Sequence, residues 1–185
     1  GSSLCWARYK ALPPICSTGF RHWVNWVKFV LVVMRYFQNI PAGALFLGVS
    51  GLIPFVAGGF LVWLPQLQNI APTIPPLVFF YAALIVSFLG GVRWGAAMQN
   101  ATTGAALTRE LCASVIPTLI TLVCYILSLP AALAMLLILI ISQGLVDVLA
   151  VRQKKLVEWY APLRLLLSAV ASASLASLLT YLVIQ

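Results

Sequence analysis

Apolar residues dominate this chain in five long runs, separated by short polar or proline-bearing stretches. The runs lie at about 42–64, 77–98, 111–129, 131–151 and 163–184. Each approaches the twenty or so residues that cross a bilayer as a helix. Backbone polar groups find no water in hydrocarbon, so runs of this length predict helices rather than extended chain. The reading is an all-α membrane protein with five transmembrane helices over 41–185.

The connections sharpen that reading. Residues 66–76 are polar but uncharged, and Pro65, Pro72, Pro75 and Pro76 are expected to stop any helix there. Thr108 is a candidate cap for the third span, with Glu110 in its first turn facing the helix dipole. Pro130 marks a tight turn that makes the third and fourth spans antiparallel neighbours. Pro54 and Pro117 fall inside spans and predict kinks that free the carbonyls of Ser50 and Ala113.

Residues 20–38 form a separate apolar stretch, too short and too charged to span. Arg21, Lys28 and Arg35 are seven apart and share one helical face, with Trp23, Trp26 and Val30 largely elsewhere. That pattern predicts an amphipathic helix on the membrane surface, or a helix docked on a partner. Residues 1–19 are basic, contain Ser and lack acids, which resembles the remainder of a mitochondrial transit region.

Composition agrees with the pattern: 63% of the 185 residues are hydrophobic and 8% are charged. Soluble domains are about one-quarter charged. There are 11 Lys and Arg against 3 acids. With the spans alternating in direction, all the basic residues fall on one side. They lie before span one, near or between spans two and three (Arg93, Arg109), and near or between spans four and five (Arg152, Lys154, Lys155, Arg164). This asymmetry places the N-terminus on the cytoplasmic or matrix side. It explains the basic balance better than nucleic-acid binding does. Arg21, Lys28, Arg35, Arg152, Lys154 and Lys155 are candidate contacts for anionic headgroups such as cardiolipin.

Candidate chemistry is sparse. His22 is the single histidine and lies outside the spans, so no Ser-His-Asp set assembles in the bilayer and no protein-only zinc or haem site is expected. No cofactor other than phospholipid is expected. Cys112 and Cys124 fall on one predicted helix, about 18 Å apart, too far to pair. Arg93 and Asp147 lie at similar depth on the same side. Three readings stand: Arg93 snorkels to headgroups, pairs with Asp147 as structural glue, or lines a solute or proton path. Ala83, Ser87, Gly91 and Gly95 repeat every four residues, and Ser168, Ser172 and Ala176 do likewise. Such small-residue stripes let helix backbones approach, either within the chain or against another subunit.

Four segments together carry a resemblance: residues 48–55 (Gly-Val-Ser-Gly-Leu-Ile-Pro-Phe), 81–95 (ending Gly-Gly-Val-Arg-Trp-Gly), 114–117 (Ser-Val-Ile-Pro) and 159–164 (Trp-Tyr-Ala-Pro-Leu-Arg). The chain resembles the transmembrane protein 69-like family over about residues 41–184. That family comprises small bacterial and mitochondrial membrane proteins known as a domain of unknown function. Its pattern places histidine before the Trp-Gly where this chain has Arg93. Arginine stays charged and binds no metal. The resemblance implies a mitochondrial inner membrane in a eukaryote, or a bacterial inner membrane, and supplies no activity. The functional expectation is a non-catalytic supernumerary subunit of a respiratory-chain complex or ATP synthase. The alternatives are an assembly factor for such a complex and a small solute or proton transporter.

Overall fold

A computed structural model describes residues 39–100 and 103–185 of the chain. The expected surface helix over 20–38, with Arg21, Lys28 and Arg35, and the basic stretch 1–19 lie outside the described residues.

Residues 40–185 form one compact helical unit. Its helices are α1 (Ala42–Gly51), α2 (Ile53–Leu61), α3 (Ile74–Gln99), α4 (Ala105–Cys124), α5 (Leu129–Arg152) and α6 (Tyr160–Ile184). No strand occurs among the described residues. Helices α1 and α2 together make one span, so five segments are long and apolar enough to cross a membrane.

Several boundaries differ from the sequence expectation. Span one is interrupted where the proline is expected to distort it: Leu52 separates α1 from α2 while keeping right-handed helical dihedrals, φ −83° and ψ −16°. Pro54 lacks an N–H, the chain tightens through a Leu52 N–H to Val49 carbonyl bond, and α2 restarts with the proline in its first turn. The Tyr81 hydroxyl then donates to the Gly51 carbonyl at 2.8 Å, tying the break to α3. The prolines of the following connection start helices rather than stop them: Pro75 sits in the first turn of α3, and Pro65 and Pro72 open short 3-10 turns. A first-turn N–H has no partner in the helix, so proline sacrifices nothing there.

Helix α4 begins at Ala105, before the expected Thr108 cap. Gly104, at φ 64°, occupies the N-cap position instead. The Thr108 hydroxyl bonds back to the Gly104 carbonyl at 3.3 Å. Glu110 is therefore past the first turn. Pro117 does lie within α4, and it is buried.

The core is built by 3–4 spacing on each helix. Helix α5 buries Leu136, Ile140, Gln143 and Asp147, and α6 buries Arg164, Ser168, Ala171, Leu175 and Leu178. These stripes face each other along the most extensive helix contact among the described residues; α3 packs chiefly on α4, and α2 on α6. Phe55, Val78, Ala82, Val86 and Leu133 complete the apolar interior. Large apolar side chains such as Phe46, Phe60, Phe88, Leu122 and Ile138 remain outside, where acyl chains solvate them.

Candidate functional site

The connections α3–α4 and α5–α6 lie at the same end of the bundle. Lys155 Nζ meets Glu110 Oε1 at 2.5 Å, and the Asn100 amide donates to the Lys155 carbonyl at 3.5 Å. This is the end where the sequence gathers its basic residues. Helix α5 ends there in a Schellman turn: the Lys154 N–H bonds the Val151 carbonyl and the Lys155 N–H bonds that of Ala150. Lys154 holds φ 59° at the position where glycine is usual.

Just inside this end sits a buried charge cluster. Arg164 Nε donates to Asp147 Oδ2 at 2.8 Å, and Arg93 Nε stands 3.8 Å from Asp147 Oδ1. The first is a charge-assisted hydrogen bond; the second is an ionic contact too long to be one. The side chains of Asp147 and Arg164 are 1% and 4% exposed, whereas that of Arg93 is 22% exposed. The Tyr160 phenol faces the same three charges from the first turn of α6. One turn further in, Gln143 Nε2 donates to the Val86 carbonyl of α3 at 3.4 Å.

The structure thus brings Arg93 to Asp147, as the pairing alternative anticipates, but makes Arg164 the closer partner. Sequence reading places Arg164 among the loop-proximal charges. In the folded chain Arg164, Ser168, Ala171, Leu175 and Leu178 step by four and three on one buried face, which the sequence does not mark because Leu165, Leu166 and Leu167 put leucine on the other faces too.

The small-residue stripes divide. On α3, Gly90 faces inward, and a Cβ there would stand 2.5 Å from the Ser114 carbonyl oxygen of α4. Its neighbour Gly91 and the next stripe member Gly95 face outward, with nothing within 4 Å of a Cβ. Ala83 and Ser87 are half-buried on the flank. On α6, Ser168 packs inside the chain, its Oγ 2.6 Å from where a Gly144 Cβ would stand. Ser172 is half-buried and Ala176 is exposed. A strict four-residue step drifts around a helix of 3.6 residues per turn, and from Ser168 to Ala176 the α6 stripe passes from the chain's interior to its outside. Of the candidate headgroup contacts, Arg152, Lys154 and Lys155 are exposed, and Lys155 is also paired with Glu110.

The Arg164–Asp147 bond ties α6 to α5, and one turn along α6 the Ser168 hydroxyl has no hydrogen-bond partner among the described residues. Five apolar spans around a buried Arg–Asp–Arg knot define a multi-pass α-helical membrane protein. Within that class, the chain belongs to the family described as Protein of unknown function (DUF3429), which matches residues 40–180. It is similar to Transmembrane protein 69 of Xenopus tropicalis, 38% identical over 101 residues, covering 50% of this chain and 38% of the relative. It is also similar to Transmembrane protein 69 of Mus musculus, 31% identical over 90 residues, covering 46% of this chain and 34% of the relative. The chain therefore spans less than two-fifths of the length of these curated relatives. No solved structure matches.

Proposed function

We propose that the chain is a non-catalytic membrane subunit of a larger mitochondrial inner-membrane assembly, a respiratory-chain complex or ATP synthase, packing through the outer face of α3. The observation that carries this reading is the open stripe at Gly91 and Gly95, where a Cβ meets nothing within 4 Å. Acyl chains gain nothing particular from exposed glycine. A second helix does, because it approaches the bare backbone and recovers dispersion contacts. The acid-free basic stretch 1–19 supports the mitochondrial placing, with the N-terminus in the matrix. Arg152 and Lys154 are exposed cations suited to cardiolipin headgroups on that side.

The test is native electrophoresis of mitochondria carrying Gly91→Leu or Gly95→Leu. The variants are expected to reach the membrane at normal abundance but to leave the high-mass complex. Wild-type protein migrating alone, or variants still complexed at wild-type level, would sink the reading. Stoichiometry in the mature complex separates a subunit from an assembly factor, which would be substoichiometric. The Arg93–Asp147–Arg164 cluster favours one competing reading, a small solute or proton transporter. Liposome flux abolished by Asp147→Asn in a folded protein would favour that reading over ours.

A further inference from the structure

Among the described residues, five buried side-chain atoms have no hydrogen-bond partner: Gln143 Oε1, Asp147 Oδ1 (which has only the 3.8 Å ionic contact with Arg93), Arg164 Nη2, Ser168 Oγ and Ser172 Oγ. The first four belong to one patch. Gln143 and Asp147 are one turn apart on α5, and Arg164 and Ser168 are one turn apart on α6. The Arg164–Asp147 bond joins the two pairs at one end. At the other, Gly144 lets Ser168 come against the α5 backbone. All four residues are at least nine-tenths buried, with Asp147 at 0% and Arg164 at 3% exposure.

Each unpartnered buried polar atom costs about 1–3 kcal/mol, more when charged. Native interiors hold few such atoms, and four in one patch call for a common partner. The atoms state what that partner must be. Asp147 Oδ1 and Gln143 Oε1 only accept hydrogen bonds, because the Gln143 amide nitrogen is committed to Val86. Arg164 Nη2 only donates, and Ser168 Oγ does either. An anion would face two bare acceptors. A cation would face Arg164 and Arg93. A small neutral molecule with two donors and two acceptors fits all four, and water is that molecule.

We propose that the α5–α6 interface holds an internal water site bounded by Gln143, Asp147, Arg164 and Ser168. The water donates to Asp147 Oδ1 and Gln143 Oε1 and accepts from Arg164 Nη2 and the Ser168 hydroxyl. It supplies the hydrogen bonds that Asp147 Oδ1 and Arg164 Nη2 lack beside the Arg164 Nε–Asp147 Oδ2 bond, the Arg93 contact and the neighbouring Tyr160 phenol. The site stands independently of whether the chain is a subunit, a factor or a transporter.

The test uses the full chain in phosphatidylcholine nanodiscs with nitrogen-15 arginine, the Arg164 resonances being assigned by their loss in Arg164→Lys. Magnetisation transfer from long-lived water to the Arg164 guanidinium is expected in the wild type. It is expected to vanish in Ser168→Val, which removes one partner and fills the space with methyls. If that variant does not fold, Gln143→Met removes another partner and is expected to weaken the same signal. A folded wild type with no water contact at Arg164 overturns the site, as does a contact unchanged by a folded variant. A chloride-dependent shift of the Arg164 resonance without water contact would replace water with an anion and also overturn it.

Discussion

Arg164 and Asp147, 17 residues apart in sequence, meet through a 2.8 Å hydrogen bond that pins the start of α6 to the end of α5. The bond gives the seam between these two spans, apolar over most of its length, a fixed register. Sliding α6 by one turn would leave both charges buried without their partner. The apolar seam alone penalises such a slip far less, because leucine packs on leucine in either register.

Removing one member of this pair should therefore be expensive. Asp147→Asn leaves Arg164 charged, buried and without a counter-ion, at a cost of about 3–5 kcal/mol. The double variant Asp147→Leu/Arg164→Met replaces both charges with apolar volume and is expected to regain most of that loss. Arg93, already 22% exposed, then reaches the headgroups along its own stem. Unfolding curves in mixed micelles measure both. A single variant as stable as wild type would show that the pair does not hold the helices.

Adjacent glycines on α3 should respond oppositely. Gly90→Ala drives a methyl into the Ser114 carbonyl oxygen, 2.5 Å from its Cβ, and should separate α3 from α4 at about 1–3 kcal/mol. Gly91→Ala meets nothing within 4 Å and should leave the isolated chain unchanged or more stable, by up to about 1 kcal/mol. Thermal unfolding of the two purified variants under one condition decides the matter. Equal effects would contradict the assigned rotation of α3.

The turn ending α5 carries a strain that glycine relieves. Lys154 sits at φ 59°, a conformation that costs an L-residue roughly 1–2 kcal/mol and glycine almost nothing. Lys154→Gly is expected to stabilise the chain by about 1 kcal/mol, and Lys154→Ala to give no gain. Because Lys154 is exposed, the same glycine variant reads its part in lipid attraction. Weaker flotation with cardiolipin vesicles, at unchanged or raised stability, is the expected pairing.

Taken by itself, the sequence determined the class, the five spans and the basic end of the bundle. Each follows from a local quantity: apolar run length against bilayer thickness, and charge counted loop by loop. It also brought Arg93 and Asp147 to one depth, because depth is read by counting residues along a span. What it left open is rotation about each helix axis. In a chain whose lipid-facing and core-facing sides are both apolar, hydrophobic periodicity carries little information about which side turns inward. Only tertiary packing decided that Gly90 meets α4 while Gly91 faces out, and that Ser168 is spent inside the chain. The same rotation moved Arg164 from the loop-proximal charges to the centre of the buried cluster, where it became the nearer partner of Asp147.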